Sequence, residues 1–178
     1  MKISKLVLAM GVGTALICGV ANAEASKDQG HGTIKFEGSI IEAPCSISSD
    51  SDGQTVKLGE VSSAALADEG KSTPKVFDIN LENCTGATKK SVTATFTGAP
   101  GATNAKHLGI TGTASGASIG LTDGSGKDIS LNEPSAAHAL QDGTNTLEFS
   151  AYLQGDGASA AVVPGEFQSV SDFTLSYE

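Results

Sequence analysis

Apolar and polar residues alternate with a period of two through much of the chain. Val92, Ala94 and Phe96 alternate with Thr93, Thr95 and Thr97. Leu147, Phe149, Ala151 and Leu153 alternate with Thr146, Glu148, Ser150, Tyr152 and Gln154. Phe77, Ile79 and Leu81 do the same with Asp78 and Asn80, as do Phe173, Leu175 and Tyr177 with Thr174 and Ser176. Val56 and Leu58 flank Lys57. Successive side chains of a strand point to opposite faces, so each pattern predicts a strand with one face buried. Shorter strand candidates surround Leu121 and the run from Ile129 to Leu131. Asp52-Gly53, Asp123-Gly124, Asp142-Gly143 and Asp156-Gly157 supply turn residues that tolerate positive φ. Val61 to Glu69 is rich enough in Ala and Leu for one short helical turn, and no longer segment keeps a helical period. The stretch from Gly98 to Gly120, rich in Gly, Ala, Ser and Thr, reads as the least ordered part. Many short strands, Gly-rich turns, no internal repeat and no linker predict a single all-β domain of the sandwich type.

Two of the predicted strands are unusual. Near the N-terminus, Gly30, Gly32, Ile34, Phe36, Gly38 and Ile40 share one face, and the outer half of that face has no bulky side chain. Glycine in a strand marks close approach of another backbone or a crowded pocket; an ordinary frayed edge strand would look the same. At the other end, the Phe173–Tyr177 pattern runs to the last residue, Glu178. An immunoglobulin-like sandwich closes with a strand after this one. The question is then what covers its edge.

The first segment is a targeting signal. Lys2 and Lys5 precede an uncharged run from Leu6 to Val20, and Ala21-Asn22-Ala23 places a signal-peptidase cut before Glu24. The run is too short for a comfortable membrane span, which takes about 20 residues. Cys18 lies inside it, but a lipoprotein signal wants a small residue before the cysteine and Ile17 is not small. Removing residues 1–23 leaves 155, enough for one domain with a real core. Glu24 to Gln29 forms a polar start. The mature chain has nine lysines, no arginine and twenty acids, a formal charge of −11. That balance argues against nucleic acid and against anionic lipid, since both are bound through Lys and Arg. Its plain meaning is solubility. Cys45 and Cys84 remain, and an even count in an exported chain predicts one disulfide. It would close a loop of about 40 residues and stabilise the fold by about 4 kcal/mol in the chain-entropy view.

Four stretches together resemble the pilin subunits of the chaperone–usher pathway. Gly30 to Cys45, GHGTIKFEGSIIEAPC, is similar to that family's N-terminal extension, first strand and first cysteine. Asn83-Cys84 after FDINLE resembles the setting of the second cysteine. Ala139 to Leu153, ALQDGTNTLEFSAYL, resembles a late strand and its preceding turn. Gly165 to Glu178, GEFQSVSDFTLSYE, resembles the C-terminal motif, with Tyr177 penultimate and Gly165 fourteenth from the end. The likeness spans nearly the whole mature chain.

The resemblance implies an incomplete immunoglobulin-like β-sandwich that lacks its last strand and is completed by donor-strand addition. It divides the chain into a signal peptide (1–23), a donor-strand extension (24–38) and a pilin domain (39–178). Gly30, Gly32, Ile34 and Phe36 would be the donor residues. Ile34 and Phe36 would fill a neighbour's groove, and Gly32, with Gly30 beside it, would leave a shallow pocket lightly filled. Gly165, Phe173, Leu175, Tyr177 and Glu178 would form the groove and the C-terminal strand that a chaperone binds, with the Glu178 carboxylate held by basic chaperone residues. The implied partners are other copies of the chain or related pilins, a periplasmic chaperone and an outer-membrane usher. The implied place is a fimbrium on the cell surface, reached through the periplasm, where such fibres support adhesion. A minor adhesive or adaptor subunit at the fibre tip is the alternative; a receptor-binding domain in addition would not fit in 155 residues.

Other chemistry fails on pattern. Gly116-Ala117-Ser118-Ile119-Gly120 matches a nucleophile elbow, with Asp128 and His138 following in hydrolase order, but the region shows no strand–turn–helix on an α/β sheet. Ser48, Asp50, Asp52 and Gly53 resemble the start of an EF-hand loop, yet Ser stands first and Gly59 twelfth, where a bidentate Glu belongs. His31, His107 and His138 are too few and too scattered for a copper or zinc enzyme. Gly124-Ser125-Gly126-Lys127 fails as a phosphate loop because Asp128 follows the lysine and Leu121 replaces the first glycine. Asn83-Cys84-Thr85 is formally a glycosylation sequon, set at the expected disulfide. No enzyme activity, metal or cofactor is expected.

Overall fold

The computed structural model describes residues 29–85, 89–157 and 161–178. The targeting segment, Cys18 and the cleavage point before Glu24 lie outside the described residues. The chain divides into two units after Ile40. In the first unit residues 29–40 form no strand, and Ile34, Phe36 and Ile40 are exposed. The alternation of this segment is real, but a strand exists only as a member of a ladder.

The second unit holds β1 (Ser46–Ile47), β2 (Lys75–Cys84), β3 (Ser91–Gly98), β4 (Leu108–Gly109), β5 (Thr111–Gly112) and β6 (Ala117–Asp123). β7 (Asp128–Ile129), β8 (His138–Ala139), β9 (Gly143–Gly155), β10 (Phe167–Gln168) and β11 (Ser171–Tyr177) follow. The large sheet runs β1-β2-β9-β6-β4, with β7 also on β6. The small sheet runs β11-β3-β8, and β5 and β10 make a separate ribbon. Every pairing is antiparallel.

The core forms where the alternating faces meet. Ile79 and Leu81 of β2, Leu147, Phe149 and Leu153 of β9, and Val92, Ala94 and Phe96 of β3 are buried. Each large side chain contributes about 1.5–3 kcal/mol by leaving water. Phe96 meets Phe149 edge-on at 5.0 Å and Phe77 edge-on at 6.1 Å, the geometry aromatic quadrupoles favour. These contacts lay β3 across β2 and β9. A cleft lined by Val92, His138, Asp123 and Leu147 puts β8 over the β9 side. β11, on the other flank of β3, therefore lies over β2 and the chain beside it. The expected disulfide joins Cys45 to Cys84 and ties the start of β1 to the end of β2.

Three local expectations meet a different or sharper outcome. Val56 to Leu58 is not a strand. Residues 48–54 follow the edge of β2 through side chains instead: the Asn80 N–H donates to Ser51 Oγ (2.8 Å) and Gln54 Nε2 donates to the Asp78 carbonyl (3.0 Å). Gly53 and Gly59 take positive φ, which breaks a regular ladder. The helical turn is present as 3₁₀ structure within Ser63–Glu69, broken by non-helical backbone at Ala67 and Asp68 and capped by Ser62 Oγ accepting from the Ala64 N–H. The stretch from Gly98 to Gly120 is well formed and contains β4, β5 and most of β6. Its order comes from tertiary contact, because its small residues let backbones approach closely.

Candidate functional site

The sandwich is open on one side. β11 pairs with β3 in unbroken register from Ser171↔Gly98 to Tyr177↔Val92. Among the described residues no strand pairs with its other edge. Backbone N–H and C=O groups alternate in direction along a strand, so about half of those in β11 face outward. Its inner side chains tell the same story. On β3 the core-facing Val92, Ala94 and Phe96 are fully buried, whereas Phe173, Leu175 and Tyr177 on β11 are half-buried. Phe77, Leu58 and Val61, on β2 and the chain beside it, are half-buried against the same core. Half-buried apolar side chains therefore border the core both along β11 and on the β2 flank. Burial raises the Tyr177 phenol above its ordinary pKa, so it stays a neutral hydroxyl at any physiological pH.

The backbone of Glu178 extends the β11 ladder by one residue. Its N–H donates to the Ser91 carbonyl (3.0 Å), and its own oxygen accepts from the Lys90 and Ser91 N–H groups (2.6 and 3.0 Å). Phe173, Leu175, Tyr177 and Glu178 are therefore brought together along one edge. Gly165 is not among them. It packs on the β5–β10 ribbon, where a Cβ would meet Thr113 Oγ1 at 2.5 Å and the Ala114 nitrogen at 2.6 Å. The neighbouring Glu166 N–H donates to Thr113 Oγ1 (3.0 Å), and the Thr113 N–H returns to the Glu166 carbonyl (2.9 Å). Gly165 lets the chain turn tightly into β10 and so aims β11.

In the first unit, Ile34 is 76% and Phe36 87% exposed. Lys35 and Glu37, on the opposite parity, form an ion pair. One face of this segment is apolar and the other charged. Among the described residues, no atom lies within 4 Å of where a Cβ on Gly30 or Gly32 would stand.

The elbow motif has no elbow. Ser118 lies inside β6, is 1% exposed, and sits beside His107 rather than His138, which belongs to β8. Two features escaped sequence reasoning. Leu58, Val61 and Phe77 pack half-buried against the core, which only long-range contact reveals. Tyr152, placed by parity among polar residues, is 2% exposed on the outer face of the large sheet. The available signal was Gly120, its cross-strand partner, which leaves room for the ring.

These observations define a class: an immunoglobulin-like β-sandwich short of one strand, whose C-terminal strand is a half-buried apolar edge. The Fimbrial protein family model matches residues 34–178, and the chain belongs to that family. It is 53% identical to the Fimbria A protein of Serratia marcescens over the full length of both. It is 52% identical to the Major MR/P fimbria protein of Proteus mirabilis (strain HI4320), again over both full lengths. Among solved structures, a subunit of a chaperone–usher pilus rod superposes with a TM-score of 0.73 at 33% identity, covering 84% of this chain and 97% of that one. The chain is a structural subunit of a cell-surface fimbrium.

Proposed function

We propose that the chain polymerises by donor-strand exchange, each copy laying its N-terminal extension into the furrow of the next. Strand addition of this kind, of which pilin–chaperone complementation is itself a standing example, draws affinity from main-chain hydrogen bonds and specificity from alternate side chains. The outward groups of β11 are the hydrogen-bonding edge, each bond worth about 0.5–1.5 kcal/mol net. Ile34 and Phe36 are the inserted side chains, about 1.5–3 kcal/mol apiece when fully buried. Gly32, with Gly30 behind it, occupies its pocket lightly, giving an incoming strand a place to begin displacing an earlier occupant. Lys35 and Glu37 stay on the solvent side. The extension spans residues 24–38 and the acceptor domain 39–178.

Before assembly the same furrow is filled by a strand from a periplasmic chaperone, with the Glu178 carboxylate against basic chaperone residues; an outer-membrane usher then receives the subunit. The observation that carries the reading is the half-buried apolar face of β11 on an edge where no described strand pairs. It needs no catalytic residue, metal or cofactor, and no bond is made or broken.

The test is refolding with a synthetic peptide covering residues 24–40. A variant lacking that segment is expected to be weakly stable alone and to melt markedly higher with the peptide. Identical melting with and without peptide rejects the proposal.

A further inference from the structure

β3 lies in the small sheet and β4 in the large one, so the chain between them crosses the sandwich. It does so as a hairpin, residues 99–109. The Gly101 N–H donates to the His107 carbonyl (2.8 Å), the His107 N–H to the Asn104 carbonyl (3.1 Å) and the Gly109 N–H to the Ala99 carbonyl (2.7 Å). The hairpin abuts the start of β11. Gly98 pairs with Ser171, and Ser169 Oγ donates to the Gly109 carbonyl (2.7 Å). A Cβ on Gly98 would meet Leu108 Cδ2 at 2.5 Å and the Val170 carbonyl at 2.9 Å, so there is no slack. Where the hairpin sits therefore bears on where β11 begins, at one end of the proposed strand-accepting edge.

The hairpin is seated on the large sheet by a polar cluster. His107 is 8% exposed, and its Nδ1 lies 3.3 Å from Oγ of the buried Ser118 on β6. Its ring stands edge-on to Tyr152 of β9 at 6.1 Å. The Tyr152 hydroxyl donates to Asp128 Oδ1 of β7 (2.8 Å) and accepts from Lys71 Nζ (3.0 Å), which also lies 4.5 Å over the ring. Asp156, just past β9, holds a buried Oδ1 with no hydrogen-bond partner among the described residues. The charged and titratable groups around His107 are therefore Lys71, Asp128, Tyr152 and Asp156.

We propose that His107 is a positioning residue for the strand-accepting furrow: neutral, it seats the crossover hairpin on the large sheet; protonated, it unseats the hairpin and loosens the furrow where β11 begins. The inference rests on the strand-acceptor reading above. A neutral imidazole can donate to or accept from Ser118, whereas the cation can only donate and brings a full charge under the hairpin. Burial pushes the His107 pKa below its ordinary value against the pull of Asp128, with Lys71 adding to the depression and Asp156 opposing it. A depressed folded-state pKa means that the stabilisation is whole above the unfolded value of about 6.5 and is lost as the pH falls through the folded one.

Hydrogen exchange on the full chain at about pH 7.5 and about pH 5, corrected for intrinsic rates, tests this. Protection of residues 99–109 and 169–172 is expected to fall several-fold on acidification while residues 147–153 hold. His107→Gln, which keeps a polar partner for Ser118 but cannot titrate, is expected to show no such fall. Ser118→Ala, which keeps the ring, is expected to retain the fall from a lower starting protection. Protection independent of pH in the unaltered chain, or an equal fall in His107→Gln, overturns the proposal. In parallel, release of a fluorescent 24–40 peptide is expected to be faster at the lower pH in the unaltered chain only. No capture at either pH, with the hairpin still responding, rejects the acceptor reading and removes the furrow from the proposal. Equal release at both pH values, with the hairpin responding, breaks the coupling.

Discussion

Along β3 the small sheet meets β11 on one side and residues 131–140 on the other, and the two flanks are built differently. β11 stays in register with β3 for all seven of its residues. Across β3, only His138 and Ala139 pair as a strand. The rest of that flank touches β3 at scattered points: the Asn132 N–H to the Phe96 carbonyl (2.8 Å), the Ser135 N–H to the Ala94 carbonyl (2.8 Å), and a bridge between Thr95 and Pro134. Ser135 Oγ accepts from the Ala94 N–H (3.0 Å), so a side chain replaces a ladder bond. Asn132 takes positive φ, and Pro134 has no N–H to offer. Exposed edges invite stray pairing, and proteins blunt them with proline and irregular backbone. One edge of this sheet is blunted and the other left regular, half-apolar and open. Under the proposed strand exchange, a subunit built this way would take one strand, at one place, which is what a linear fibre requires.

The largest way to break this contrast is to charge the open edge. Leu175 lies on the core-side face of β11 and is half-buried. Strand addition would bury it fully. Leu175→Asp is expected to cost about 3–5 kcal/mol in the peptide-completed domain, where the carboxylate has no partner, and much less in the uncompleted one. Thermal melts with and without the 24–40 peptide give the two numbers. Equal losses would mean that β11 is already a closed edge.

Much of this site was legible beforehand, for a physical reason. β3, β9 and β11 each bury one face against a core, and that leaves a period of two in Val92–Phe96, Leu147–Leu153 and Phe173–Tyr177. What stayed hidden depends on partners far away in sequence. Tyr152 shares parity with Glu148 and Ser150, and only the register that puts Gly120 opposite it turns a polar face into a socket. The 99–109 hairpin has few bulky residues to announce it, and its order follows from Gly98 and Gly101 packing tightly against neighbouring chain. Gly165 was recognisable as part of a motif, but its place against Thr113 was not. The openness of β11 is likewise a statement about which strand lies next to which, and no local pattern carries it.

A smaller effect sharpens the contrast from the blunted side. Ser135→Ala removes the hydroxyl that accepts from the Ala94 N–H. Leaving a buried donor without a partner costs about 1–3 kcal/mol. The loss is expected to be the same with and without bound peptide, because Ser135 lies across β3 from the furrow. A denaturant titration in both states measures it. A larger loss in the peptide-bound state would show that the two edges communicate through β3.

The smallest effect falls on Pro134. Replacing it with Ala restores an N–H and frees the unfolded chain, which is expected to lower stability by about 0.4–1 kcal/mol. It is not expected to create a second acceptor edge. Asn132 would keep its positive φ, and the Ser135 hydroxyl would still occupy the Ala94 N–H, so a straight incoming strand would find no run of matched groups. Titration calorimetry with the 24–40 peptide is therefore expected to give one site per chain in Pro134→Ala, as in the unaltered protein. Two sites would mean that a single proline was the guard, and that irregular backbone contributes nothing to keeping the fibre unbranched.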